Sequence, residues 1–184
     1  AGPYPARLVR VIDLGTQTAE YQGETKHAHK VLLSWEIVDP ETRLDDGSPY
    51  LISKRYTASL HEKAQLRRDL AAWRGQDFTA DELRQFDLAK LLGRPLLLGV
   101  AHSTKGDRTF ANVSSLARLP KGMTAAEPTE PILHFDLQAP NWHVFDQLGE
   151  KLKAQIASSP EYADARKAPP PSTSFDDMDD DIPL

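Results

Sequence analysis

Cysteine is absent from the 184 residues, which excludes disulfides and thiolate metal sites. Long apolar runs are missing too: nothing approaches the roughly 18 consecutive apolar residues that a membrane-spanning helix needs. The first residues lack the charged-then-apolar layout of a signal peptide, and Ala1-Gly2-Pro3 without Met reads as a processed end. No glycine-rich phosphate loop and no Gly-x-Ser-x-Gly elbow occurs. His61-Glu62 lacks the second His that a helical zinc motif requires. His27 and His29 stand two apart on one side of a strand, a spacing metals accept, but no third ligand is suggested nearby. Acid pairs such as Asp45-Asp46 sit in turn sequence and read as solvated. No catalysis, cofactor or metal is expected.

Charge of one sign is scarce except at one end. The whole chain has 22 Lys and Arg against 27 Asp and Glu, a net charge of −5. From Ser172 onward there are five acids and no base, which leaves 22 of each sign before it. A neutral body can bind nucleic acid if its bases cluster on one face, because phosphate contacts depend on local charge. A length of 184 residues suits one domain with a disordered end.

Periodicity places the elements. Residues 6–14 form a β-branched run with basic interruptions and predict a strand; Gly15 to Thr18 and Gln22 to Thr25 supply turn residues. Residues 27–38 predict a second strand, with Val31, Leu33, Trp35 and Ile37 alternating against Lys30, Leu32, Ser34 and Glu36. Residues 50–57 predict a third, Tyr50, Ile52, Lys54 and Tyr56 opposing Leu51, Ser53, Arg55 and Thr57. A helical insert follows. Ser59 with Glu62 has capping-box spacing, Leu66, Leu70 and Trp73 share a side, and Gly75 ends the helix. Thr79 caps a second segment. Strands resume over 95–102 and 109–119 around the polar loop 103–108. Residues 125–131 read as a linker, 132–137 as a short extended segment that adds to the barrel or closes over its groove. From Asn141 or Trp142 a single amphipathic helix is expected, carrying Val144, Phe145, Leu148, Leu152 and Ile156 on one face and ending at Ser158 to Tyr162.

This order predicts a mainly β (α+β) chain: an OB-fold, a five-stranded barrel with a helical insert after strand 3. A C-terminal amphipathic helix and a disordered acidic tail complete it. The expected division is a domain over 4–157, core about 6–120, and a linker with tail over 158–184.

The tail carries the sharpest motif. Lys167-Ala168-Pro169-Pro170-Pro171-Ser172-Thr173-Ser174 has linker composition. Then Asp176-Asp177-Met178-Asp179-Asp180-Asp181-Ile182-Pro183-Leu184 combines acids with an apolar tip. This tip resembles that of bacterial single-stranded-DNA-binding proteins, which end in Asp-Asp-Asp-Ile-Pro-Phe; Leu184 stands where that family has Phe. The block Tyr56 to Leu70 with Trp73 to Thr79 is similar to small phage and prophage proteins associated with DNA replication or recombination, over about residues 27–120, and assigns no residue a role. The resemblance implies a non-enzymatic single-strand binder in the cytoplasm of a bacterial host, recruiting replication or recombination proteins through Asp179, Asp180, Asp181, Ile182, Pro183 and Leu184, with a homo-oligomer among the expected assemblies. An adaptor or inhibitor that captures host proteins by the tail without holding DNA is the alternative.

Single strands are held by aromatic stacking, about 1–3 kcal/mol per base, and by Lys and Arg along the phosphates. In an OB barrel, the second and third strands, with the loops between strands one and two and between four and five, form the groove. Those positions hold Lys26, His29 and Lys30 with His27, then Lys54, Arg55 and Tyr56, then Lys105, Arg108 and Phe110. Tyr56 is the foremost stacking candidate; Trp35 and Trp73 are expected in the core. RNA could use the same groups.

Overall fold

The structure, a computed structural model, describes residues 1–167. It is mainly β: an antiparallel sheet with helices at two places. Its strands are β1 (Gly2–Tyr21), β2 (Glu24–Ile37), β3 (Leu51–Thr57), β4 (Pro95–Lys105) and β5 (Arg108–Ala117), ordered β3-β2-β1-β4-β5, with β6 (Leu133–Phe135) paired parallel to β1. The end strands β3 and β5 bring residues within 8 Å of each other, with no ladder between them among the described residues.

β1 organises the sheet. It pairs through residues 2–7 with β4 and through residues 6–21 with β2, and two register irregularities, at Leu8/Arg10 and Asp13/Gly15, bend it. The expected turn at Gly15 is one of these irregularities: Gly15 sits at φ +67, and the strand runs on to Tyr21. A bulge adds a residue and increases local twist, and glycine takes the left-handed conformation without a Cβ penalty. The reversal comes at Gln22 and Gly23, with φ of 50 and 77, a two-residue loop of the kind that matches strand twist in hairpins.

Both faces are covered where β1 runs through Leu8 to Leu14 and β2 through Val31 to Ile37, which explains the near-continuous apolar runs there. The inner face holds the main core, where Leu8, Val11, Leu33, Trp35 and Ile37 meet Ile52, Tyr56, Leu96 and Leu98. Helix α1 (Gln65–Arg74) adds Leu66, Leu70 and Trp73 to it, and the Trp73 indole donates to the Pro95 carbonyl at 3.0 Å. Helix α1 starts six residues after Ser59, whose hydroxyl accepts from His61 N–H in a turn and caps no helix. Gly75 ends α1 in the left-handed conformation, as expected. Thr79 and Glu82 form the reciprocal capping box of α2 (Ala80–Arg84), and a 3₁₀ turn, Leu88–Leu91, precedes β4.

A second core lies on the outer face. Ile12, Leu14 and Leu32 meet Leu133, Phe135, Leu137, Phe145, Leu148 and Ile156. The single helix expected here is three: α3 (Trp142–Asp146), α4 (Glu150–Ala157) and α5 (Pro160–Lys167). Breaks at Gly149 and at Ser158-Ser159-Pro160 let α4 and α5 turn back onto β1 while α3 packs on β6. Helix α5 corrects the boundary at 158: Tyr162 stacks with Trp142 and Phe145, and Arg166 lies 3.7 Å above Trp142. Residues 125–131 are a strap more than a linker. Arg7 donates to the carbonyls of Gly93, Ala125 and Ala126 at 2.7–2.8 Å. The wholly buried Glu36 carboxylate accepts the N–H groups of Thr129 and Glu130 and the Thr129 hydroxyl at 2.9–3.0 Å. No described helix is long and apolar enough to cross a membrane.

Candidate nucleic-acid interface

Strand alternation sorts the predicted residues before any contact is considered. Along β2, His27, His29, Val31, Leu33 and Trp35 point inward, and Lys26, Ala28, Lys30, Leu32, Ser34 and Glu36 point outward. On β3 the inward set is Ile52, Lys54 and Tyr56, and the outward set is Leu51, Ser53, Arg55 and Thr57. Lys30 pairs with Thr57 and Leu32 with Arg55. Lys26, Lys30 and Arg55 therefore share one outer surface.

Tyr21 joins them. It pairs with Glu24 at the hairpin tip, is 62% exposed, and has the Lys26 ammonium 5.5 Å from its ring centre. The sequence reading passed over Tyr21, although its position supplied the signal: an aromatic residue next to a Gln-Gly turn and flanked by polar residues has nothing local to pack on. Lys30 reaches the Thr57 hydroxyl at 2.7 Å, and Arg55 donates to Gln155 Oε1 of α4 at 3.1 Å. Neither forms an ion pair among the described residues. The one acid on this stretch is Glu24, at the tip.

Three predicted residues are spent elsewhere. Tyr56 is only 2% exposed and cannot offer a face to a base. Its hydroxyl donates to Asp69 of α1 at 2.7 Å, and burial pushes its phenol well above the usual range, helped by the Asp69 charge. Lys54 bonds the same carboxylate at 2.8 Å and lies 4.9 Å over the Tyr56 ring. Burial alone would raise the Asp69 carboxyl, but bonds from Lys54, Tyr56 and Gln65 outweigh it and hold the group below the usual carboxylate range. His29 lies between two carboxylates, Asp13 at 2.5 Å and Glu161 at 3.6 Å. Alternation had placed Lys54 and Tyr56 together correctly; the helix docked beneath them makes that face interior.

The β4–β5 hairpin extends past the sheet. Both strands are exposed over 101–105 and 108–112, so Lys105, Arg108 and Phe110 stand on a two-stranded arm. Phe110, opposite Ser103, is 45% exposed. Lys105 and Arg108 face each other across the turn and form no ion pair among the described residues. The groove expected over β2 and β3 is narrower than a bare sheet would offer, because β6 and helices α3 to α5 cover β1 and the middle of β2. The partner-binding residues 179–184 lie outside the described residues. Among the described residues no group of three or more His, Cys, Asp or Glu side chains is placed to hold a metal ion. Compared with known proteins, the chain matches no family model, and no curated protein is significantly similar to it.

Proposed function

We propose that this chain is a non-catalytic single-stranded-DNA-binding protein of the OB type that recruits replication or recombination partners through its acidic tip. The observation that carries this reading is the outer stripe of Tyr21, Lys26, Lys30 and Arg55, an exposed aromatic followed by three cations on one face of β2 and β3. Such a stripe supplies both halves of single-strand recognition, a stacking platform and a track for phosphates. The strand order β3-β2-β1-β4-β5, with β3 and β5 approaching at the ends and α1 between β3 and β4, fits a partly open five-stranded barrel. The arm bearing Phe110, Lys105 and Arg108 would add a second stacking position.

Titration with a fluorescent oligo-dT tests it, with duplex DNA and RNA of equal length as competitors at several salt concentrations. Lys26, Lys30 and Arg55 replaced together by Ala should lower the slope of log affinity against log salt by about 2, since each single-strand phosphate contact contributes about 0.7. An unchanged slope rejects the stripe. The covered outer face of β1 favours a second reading, an adaptor that works through its tail alone; absence of any oligonucleotide binding by the full chain selects it.

A further inference from the structure

Beneath α1 lies a cavity of about 380 Å³ that the interface does not use. Its floor is apolar, built by Trp73, Phe78, Phe86 and Leu91. Its rim carries four cations, Arg74, Lys90, Arg94 and Arg118, in a body whose charges balance overall. Of the acids nearby, Glu82 is bonded to Arg74, and Asp77, paired with Arg67, also feels the Arg74 charge. Lys90 and Arg94 are exposed and form no ion pair among the described residues. Arg74 lies over the Phe78 ring at 4.3 Å, and its Nη1 is buried without an acceptor. An orphaned guanidinium nitrogen on a cavity wall, beside free cations and an aromatic floor, calls for an anion joined to an apolar group.

The chain itself contains that chemistry. We infer that the cavity receives the chain's own segment Asp179 to Leu184, the carboxylates meeting Arg74, Lys90, Arg94 and Arg118 and Ile182-Pro183-Leu184 covering the floor. Charge complementarity selects this occupant: residues 176–181 hold five carboxylates in six positions with no base among them, the densest acidic run in the sequence. Length permits it. The 12 residues from Ala168 to Asp179 can span about 40–43 Å when extended, against a body about 40 Å across for its size. A nucleotide fits less well, because the floor has no free hydrogen-bonding group for a base edge and the Trp73 indole is already bonded to Pro95. The cavity lies between α1, the segment 78–94 and the ends Pro95 and Arg118, none of them in the outer stripe of β2 and β3, so docking there would withhold the tip from partners without occupying the oligonucleotide surface. The inference stands whether or not the chain binds DNA.

The test uses the full chain and an N-terminally labelled peptide of residues 174–184, followed by fluorescence anisotropy. A tethered segment at an effective concentration of about 1 mM, with a peptide Kd of about 100 μM, weakens binding of the free peptide about tenfold. The full chain carrying Ile182→Glu and Leu184→Glu should therefore bind the peptide about tenfold more tightly than the unmodified chain. Adding Lys90→Glu and Arg94→Glu, both exposed, should abolish that binding while the thermal melt is unchanged. The Trp73 indole N–H resonance should differ between the unmodified chain and the tip variant equally at 20 and 500 μM. No peptide binding by the tip variant overturns the inference, as does binding indifferent to Lys90 and Arg94. A resonance difference that grows with protein concentration overturns the intramolecular assignment. Oligonucleotide affinity is read separately, so loss of the DNA reading leaves these outcomes intact.

Discussion

Tyr56→Phe separates a core residue from a stacking platform, because it keeps the ring and removes only the hydroxyl. That hydroxyl donates to Asp69 at 2.7 Å, and Asp69 retains Lys54 at 2.8 Å and Gln65 at 2.6 Å after the change. A hydrogen bond to a charged group contributes about 1.5–3 kcal/mol. With two donors remaining, the low end applies, about 1.5 kcal/mol, a little over tenfold in the unfolding equilibrium. Urea denaturation at pH 7 should show this loss, while oligonucleotide affinity stays the same. The pH dependence has a definite sign. The Asp69 carboxyl is held below its unfolded value, so its stabilisation is fully present above about pH 5 and is lost as pH falls below about 3.9 toward the folded value. The difference between the unmodified chain and Tyr56→Phe should be constant from pH 7 to 5 and shrink below 4. A variant as stable as the parent would refute the burial argument, since the hydroxyl would then make no buried bond to Asp69.

Two further predictions concern the outer layer. Glu36→Gln weakens the acceptor that holds Thr129 and Glu130 inside the protein and exposes a buried amide to the same donors; a loss of about 2–4 kcal/mol is expected, with faster hydrogen exchange over 125–131. Gly15→Ala places a Cβ against Ser159 and forces a positive φ on a side chain, so α5 should loosen from β1 and the melting temperature fall by several degrees; an unchanged melt and unchanged proteolysis near 160 would contradict this.

Much of the sheet was legible because alternation is a local property. Val31, Leu33, Trp35 and Ile37 do share a face, and so do Ile52, Lys54 and Tyr56. The capping box of Thr79 and Glu82 and the left-handed Gly75 were readable for the same reason, since each satisfies its own neighbours' backbone groups. The candidate site was half legible: Lys26, Lys30, Arg55, Lys105, Arg108 and Phe110 lie on open surface, whereas His29, Lys54 and Tyr56 are bonded to carboxylates from elsewhere in the chain.

By itself the sequence determined the strands, their faces, the acidic end and the absence of thiols and of any long apolar run, because composition and period two are set residue by residue. Only the tertiary structure decided which face is interior. Asp69 arrives from α1 to claim Lys54 and Tyr56, Glu161 arrives from α5 to meet His29, and β6 with α3 to α5 covers β1. Burial depends on what docks against a face, and the partners here lie 13 to 132 residues away along the chain, beyond the reach of any local pattern.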